Sequence, residues 1–387
     1  MFPVYALLFA QRGVSAGAIS ALFVLWSASS NLFEVPTGAW ADTVPRRRLL
    51  LMAAAAYGGA FAMWAVVPTF AGFAVGFVLW ALAGALSSGT FEALAYDELA
   101  ALGATDAYAR TVGVGRTLSL VGMAAATLAA APLVAVGGFT LTCWVSVGVC
   151  VVQLGVVRSL PPGAPPPLVE HRSGPSAWSG YVHTLRCGVG EALHHSGVRT
   201  AVVASAGLAG LQAYDEYFGL LLDENGAAAA TIPLWLVTVG VTESLGGVLA
   251  ERATRWSAST FRRLVVAAGA TVAVGALVGH PAGIVAVAAG YGVLQLTIVV
   301  ADVRLQDRIK TGARATVTSV SNVLAEGVAL VVYAMFGLGA GRVGYGVLLA
   351  VAALPLLGGA RWYGWALGAT GVGRSPADQR GQRRHGC

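Results

Sequence analysis

Lysine is almost absent from this chain of 387 residues, and charge of either sign is scarce. Lys310 is the one lysine, and Asp, Glu, Lys and Arg together make up 11% of the sequence. Soluble domains carry about 25% charged residues, so this composition excludes a water-facing shell over most of the chain, and no stretch is polar for long enough to form a sizeable soluble domain. Cysteine is rare too. Cys143, Cys150, Cys187 and Cys387 show no CxxC or other metal spacing, and two of them lie in an apolar run, so neither a disulfide framework nor a metal site is expected. No G-x-x-x-x-G-K-[ST] occurs, which leaves ATP-driven chemistry without support, and Gly113-Val114-Gly115-Arg116 lies inside an apolar run rather than in a phosphate loop. A membrane-embedded transferase would need clustered acids such as D-D-x-x-D, which the chain lacks. The six His are scattered, and His194-His195 reads as a solvated face rather than a ligand pair. Residues 1–10 have no basic n-region and no small-residue cleavage site, so they are not read as a signal peptide.

What the chain has instead is apolar sequence: 57% hydrophobic residues and a mean hydropathy of +0.72. A bilayer core takes about 20 apolar residues per helix. Apolar runs predict a short piece at 1–10, then helices at 16–41, 47–67, 70–95, 109–134 and 138–159. After a polar stretch opening at Pro161-Pro162-Gly163, further helices are expected at 198–221, 228–250, 261–279, 282–304, 313–339 and 343–363. The expected fold is therefore an all-α membrane protein of two pseudo-symmetric six-helix bundles with 11–12 transmembrane helices. Its divisions fall at 1–159 for the N-terminal bundle, 160–197 for an interfacial linker, 198–365 for the C-terminal bundle and 366–387 for a basic tail.

Orientation follows from the positions of the basic residues. With the arginines at 46–48 on the cytoplasmic side, the alternate loops near 67–70, 134–138, 221–228 and 279–282 face out and hold no Lys or Arg. Arg12 and Arg342 remain outside and Arg116 within a span, and the linker and C-terminus come out cytoplasmic. The net charge of +6 is thus explained by topology in a plasma membrane, and no nucleic-acid partner is expected.

One polar signature occurs twice. Glu34, Gly38, Asp42 and Arg46 are matched 209 positions later by Glu243, Gly247, Glu251 and Arg255. Asp97, Arg110 and Thr111 find counterparts in Asp302, Arg314 and Thr316, and Tyr5 to Gly13 resembles Tyr217 to Gly226. The last match leaves the first helix short by several turns, because only four residues precede Tyr5. Either translation starts upstream of Met1 or the first helix is incomplete.

Gly38-Ala39-Trp40-Ala41-Asp42-Thr43-Val44-Pro45-Arg46-Arg47 resembles the loop signature of the major facilitator superfamily, G-x-x-x-D-[RK]-x-G-R-[RK]. Thr43 replaces the usual base and Pro45 the usual glycine, while the second copy keeps a base at Arg252. On a helix, residues four apart share a face, so Glu34, Gly38 and Asp42 form one line, with Gly38 allowing close approach of a neighbour. Asp42 is placed to accept from the first amides of another helix and to meet its positive dipole end. The resemblance implies a latch that holds the cytoplasmic side closed, with Arg46 and Arg47 as its bases and Asp97 as the acidic partner of Arg46. The bland reading is that the arginines only fix topology and touch anionic lipid.

Ionisable groups at membrane depth are costly and mark function by default. The candidates are Glu34, Glu92, Arg116, Asp215, Glu216, Glu243, Asp302 and Glu326. Glu34 and Glu243 read as latch supports; Asp302 is expected to pair with Arg304, Arg308 or Arg314; Arg116 either snorkels to the cytoplasm or neutralises Glu92. Adjacent carboxylates at low dielectric resist double ionisation, so Asp215 and Glu216 read as a proton-loading pair, with Glu326 second. The competing reading is that the pair is simply wet, beside Asp223 and Glu224. Most tryptophans, Trp26 and Trp80 included, are assigned to packing or interfacial belts.

Together these residues predict a secondary transporter working by alternating access, with no enzymatic activity and no cofactor beyond a proton gradient. Its partners would be a small amphipathic substrate, protons and lipid, and the chain would act as a monomer. Proton-coupled export is the expected direction, after the multidrug-efflux branch that the resemblance favours; nutrient symport and a non-transporting scaffold or sensor are the alternatives.

Overall fold

The computed structural model describes residues 4–41, 44–161, 190, 195–309 and 314–367, and every regular element among them is helical. Asp42, Thr43, Lys310, most of the linker and the tail from residue 368 lie outside the described residues. Eight helical stretches are long and apolar enough to cross a bilayer. Two of these, Thr105–Ser159 and Thr316–Leu367, hold 55 and 52 residues. Straight helices of that length would run roughly 80 Å against about 30 Å of hydrocarbon, so each crosses twice.

The backbone shows where each turns. In the first, helical geometry is lost at Gly137 and Gly138, where Gly138 has φ 63° and ψ −165°; in the second it is lost at Gly344, with φ 80° and ψ 163°. That corner of backbone space is open to glycine alone, so the duplication is written in the main chain as well as in the polar signature. Counting both long stretches twice and adding the interrupted Ser196–Glu224 stretch gives eleven crossings, within the expected 11–12.

In chain order the helices are α1 (Tyr5–Gln11), α2 (Ala16–Ala41), α3 (Arg46–Val66), α4 (Phe70–Ser87), α5 (Thr90–Ala101) and α6 (Tyr108–Ser159). They are followed by α7 (Ser196–Leu211), α8 (Phe218–Glu224), α9 (Ile232–Ala253), α10 (Ala258–Leu277), α11 (Gly283–Arg308) and α12 (Arg314–Leu367). Two expected helices are broken. The one expected at 70–95 divides into α4 and α5 because Gly89 takes φ 66°, a left-handed step that ends an α-helix. The one expected at 198–221 is interrupted by a 3₁₀ turn over Gln212–Tyr217, which carries both Asp215 and Glu216. Tight 3₁₀ winding in the middle of a helix marks a hinge or strain, and hydropathy alone gives no sign of it.

Contacts group the chain into two compact units. The first comprises Met1–Glu170, Glu216–Val237 and Tyr333–Leu348; the second comprises His171–Asp215, Thr238–Val332 and Leu349–Cys387. The first is packed with aromatic rings. α1 is short, about 10 Å, yet Tyr5 to Phe9 are all buried, and α1 packs on α2 and α8. Phe9 lies 4.2 Å from Phe73 by ring centroids, and Trp64 donates its indole N–H to the Phe73 carbonyl at 3.1 Å. Tyr217 stacks on Phe336 at 3.9 Å and accepts or donates a 2.7 Å hydrogen bond with Ser20. Aromatic pairs of this kind add roughly 0.5–1.5 kcal/mol beyond area burial. Glu224 caps the helical segment that restarts after Gly344, accepting from Tyr345 N at 2.8 Å and Gly346 N at 3.3 Å.

The second unit is built around α11, which packs on α10 and α7. Its Leu305 lies in a core with Val198, Ala201, Val202 and Val317. α9 and α11 meet through small residues. Thr242 Oγ1 donates to the Ala288 carbonyl at 2.7 Å, and one turn on, Gly246 faces the Gly292 carbonyl so closely that a Cβ there would overlap it. Small residues four apart on both helices are how membrane helices approach when water supplies no driving force.

Candidate functional site

α3 opens with Arg46, Arg47 and Arg48 behind an N-cap of Pro45, an arrangement its own dipole disfavours, since the N-terminus is already positive. Neighbouring oxygens offset this. Asp97 on α5 sits 3.0 Å from Arg46 Nη1, both about two-thirds buried, and Arg47 Nη1 donates to the Leu160 carbonyl at 3.1 Å. The pair named from the sequence is thus in contact, and Gly38 lies on α2 as expected, whereas Asp42 falls outside the described residues.

The second copy is built differently. Glu251 and Arg255 are exposed at the end of α9 and just beyond it, and a Cβ on Gly247 would meet nothing within 4 Å. The glycine at the close approach is its neighbour Gly246. The base that ties this end together is Arg304 on α11, which donates from Nε to the Leu367 carbonyl at 3.2 Å and from Nη2 to the Thr254 carbonyl. Arg308 donates to the Ala366 carbonyl at 3.1 Å. Cations at the carbonyl ends of helices satisfy orphan acceptors and suit the dipole. Asp302 is therefore not the arginines' partner: it accepts a 2.5 Å hydrogen bond from Ser205 Oγ. The acid within reach of Arg304 is Asp307, at 4.0 Å from Nη1, and main-chain acceptors such as these carry no side-chain signal.

Asp215 and Glu216 have separate partners. A 3₁₀ turn sets successive residues about 120° apart, so adjacent side chains diverge. Asp215 Oδ2 accepts from Tyr291 Oη at 2.8 Å, within the second unit, and Glu216 Oε2 accepts from Tyr5 Oη, within the first. One of the boundaries between the units falls on the peptide bond joining them. Both carboxylates are half-buried, and the flanking Tyr214 and Tyr217 are fully buried. Glu243 on α9, half-buried, lies within Coulombic range of the same Tyr291, and Gln212 donates to Gln295 at 3.0 Å. Glu224, near the pair in sequence, is occupied as a helix cap.

The remaining candidates are dispersed. Glu326 is half-buried on α12, beside the Ala325 carbonyl against which Gly210 of α7 packs. Glu92 is in the first turn of α5, where its charge suits the dipole. Arg116 is exposed on α6, and no ion pair joins it to Glu92 among the described residues. Glu34 lines a cavity of about 260 Å³ with Trp26, Ser30, Tyr57, Trp80 and Ser88. Positions 26, 30 and 34 recur every four residues along α2, a signal present in the sequence, where Trp26 is assigned to packing and Glu34 to the latch.

A membrane protein with two duplicated helical halves, paired basic motifs and acids within its spans has the general organisation of a secondary transporter. The family description Major Facilitator Superfamily fits residues 1–334 of this chain. The chain belongs to the Major Facilitator Superfamily. No curated protein sequence matches it. Among solved structures, the nucleoside transporter NupG is similar at a TM-score of 0.71 and 12% identity, covering 93% of each chain. A D-xylose-proton symporter is similar at 0.59 and 14%, covering 91% of each. The E. coli fucose:proton symporter FucP gives 0.53 and 13%, covering 94% of this chain and 93% of its own. At such identities the likeness establishes the fold, and the family makes this member a multi-pass membrane transporter rather than an enzyme.

The Arg46 and Asp97 contact gives a testable expectation. A partly exposed ion pair is worth about 0–1 kcal/mol, so Arg46→Ala and Asp97→Asn should scarcely move the unfolding temperature. A transporter is poised between states a few kcal/mol apart, where the same energy shifts populations severalfold. Transport in either variant should fall severalfold, and the double reversal Arg46→Asp with Asp97→Arg should recover part of it. Unchanged uptake or efflux rates in both single variants would remove the pair from gating.

Proposed function

We propose that this protein is a proton-coupled secondary transporter that exports a small amphipathic compound across the plasma membrane. Asp215 and Glu216 carry the proton, and Glu326 serves as a further acid. The single observation that supports this is the split of two adjacent carboxylates across a 3₁₀ turn, each held by a tyrosine of its own compact unit. Protonating a carboxylate turns an acceptor into a donor and forces its tyrosine contact to rearrange. Proton loading is thereby coupled to geometry at a peptide bond where the chain passes from one unit to the other. Gly38, Asp42, Arg46, Arg47 and Asp97 form the cytoplasmic gate of the first half, answered by Gly247, Glu251 and Arg255 in the second, and Glu34, Glu92 and Arg116 belong with the acids of the proton and substrate cavity. The divisions at 1–159, 160–197, 198–365 and 366–387 describe the functional halves, with linker and C-terminus cytoplasmic, and the working form is a monomer.

Proton symport is the second reading, favoured because two of the structural relatives bear that function in their names. The test is purified protein in proteoliposomes with an internal pH indicator. An imposed gradient should drive accumulation of a substrate from a compound panel, and a protonophore should abolish it. Movement of proton and substrate in opposite senses supports export, and in the same sense uptake. Transport indifferent to the protonophore would exclude both.

A further inference from the structure

The cavity in the first unit has a chemistry of its own. Its described lining includes three aromatic side chains, Trp26, Tyr57 and Trp80, with one carboxylate, Glu34, and no Arg, Lys or His. Three helices supply these groups. α2 contributes Trp26, Ser30 and Glu34 along a single face, α3 contributes Tyr57, and α4 contributes Trp80 and Gly84 at the same four-residue spacing, with Ser88 just past its C-terminal end. Residues four apart lie one above another on a helix, so each of the two long walls is a continuous stripe. Trp80 is fixed from behind, its ring 5.4 Å from Trp64 and 5.3 Å from Phe61, while Tyr57 meets it edge-on at 6.0 Å. Trp26 is backed by Phe77 at 6.1 Å. The aromatic walls are therefore held by the unit's core and need no ordering when a ligand arrives, the condition under which contact area turns into affinity.

Aromatic faces are electron-rich and attract cations, tryptophan most strongly. A carboxylate completes the complement of a positive ligand, and an anion finds no donor of opposite charge among the lining residues. Ser30 is already engaged, donating to the Trp26 carbonyl at 2.9 Å, and Glu34 is the charged anchor of the described lining. The volume of about 260 Å³ falls just below the range of pockets that take drug-sized ligands. We propose that this cavity is a binding site for a small organic cation, a quaternary or protonated alkylamine, with Trp26, Tyr57 and Trp80 against the cationic head and Glu34 as its counter-ion. The assignment deepens the transporter reading by naming the substrate class, and it rests on that reading only for the claim that the bound cation is moved.

Binding is measured on the full chain in detergent by calorimetry, with choline and tetraethylammonium as probes and 3,3-dimethylbutan-1-ol as the uncharged isostere of choline. Saturable binding of the cations is expected, with the neutral isostere at least about tenfold weaker, since its aromatic contacts lack the electrostatic part. Glu34 is exposed, so Glu34→Gln should fold normally and weaken choline about tenfold or more. Trp80→Phe keeps an aromatic wall and should weaken it severalfold, and Trp80→Leu should abolish binding. Unfolding temperatures identify any variant whose loss is merely structural. Equal affinity for the isostere, unaltered affinity in Glu34→Gln, or no saturable cation binding by the folded protein would each overturn the site. The two readings fail separately. Choline bound but not moved by reconstituted protein leaves the site standing and refutes it as a transport site, whereas proton-driven movement of another compound without cation binding refutes the site alone.

Discussion

The double variant Asp215→Asn, Glu216→Gln loses proton-driven accumulation altogether while retaining downhill exchange of the same substrate across a liposome membrane. Both replacements are near-isosteric and keep a carbonyl oxygen that can accept from Tyr291 and Tyr5, so the 3₁₀ turn and its packing should survive. What disappears is the ability to bind and release a proton. Of the single variants, each removes one titrating group from a pair whose partners lie in different units. Each should move the pH at which transport is half-maximal, with the double variant showing no pH dependence between 5 and 8. Tyr5→Phe and Tyr291→Phe separate geometry from titration: they leave both protons in place and should slow transport without flattening its pH profile. A double variant with the parental pH profile would remove Asp215 and Glu216 as proton carriers, and the role would pass to Glu326 or Glu243.

Gly246→Leu should give no folded protein, while Gly247→Ala, one residue along, should be neutral or slightly stabilising. A Cβ at Gly246 would overlap the Gly292 carbonyl, and Gly292 in turn lies against the Thr242 carbonyl. Neither contact can yield without separating α9 from α11, the central helix of the second unit, and breaking the bond from Thr242 to Ala288. Overpacking a well-filled site typically costs about 1–3 kcal/mol; a clash with main chain on both helices exceeds that. At Gly247 a methyl group meets nothing within 4 Å, and alanine is favoured over glycine inside a helix by about 0.5–1 kcal/mol. Thermal unfolding in detergent of the two alanine variants, followed by size-exclusion chromatography, compares them directly. Equal stability of Gly246→Ala and Gly247→Ala would refute the close approach. The comparison matters because the duplicated motif points to Gly247.

The polar repeat and the hydropathy carried much of this structure. The crossings and the duplication could be read from hydropathy and spacing, and the contact between Arg46 and Asp97 was implied by the resemblance of the stretch 38–47 to the superfamily's loop signature. The tertiary partners could not. Tyr5 and Tyr291 lie 211 and 76 residues from the acids they bond, and nothing local to either distinguishes it from a packing tyrosine. Arg304 and Arg308 bond mainly to main-chain carbonyls, identical at every residue, and the acid beside Arg304 is Asp307 rather than Asp302. Gly89 and the 3₁₀ turn broke helices that hydropathy draws as continuous, because hydropathy measures solvent preference and is blind to backbone winding.

The sequence by itself determined that the chain lies in a membrane and crosses it about a dozen times in two related halves. Those are questions of transfer free energy and charge, summed over residues one at a time. Only the tertiary structure decided which polar groups meet. It divided Asp215 from Glu216, moved the close helix approach from Gly247 to Gly246 and gathered Trp26, Tyr57, Trp80 and Glu34 around one cavity. Contact is a property of pairs brought together by the packing of different helices, and no single helix carries it.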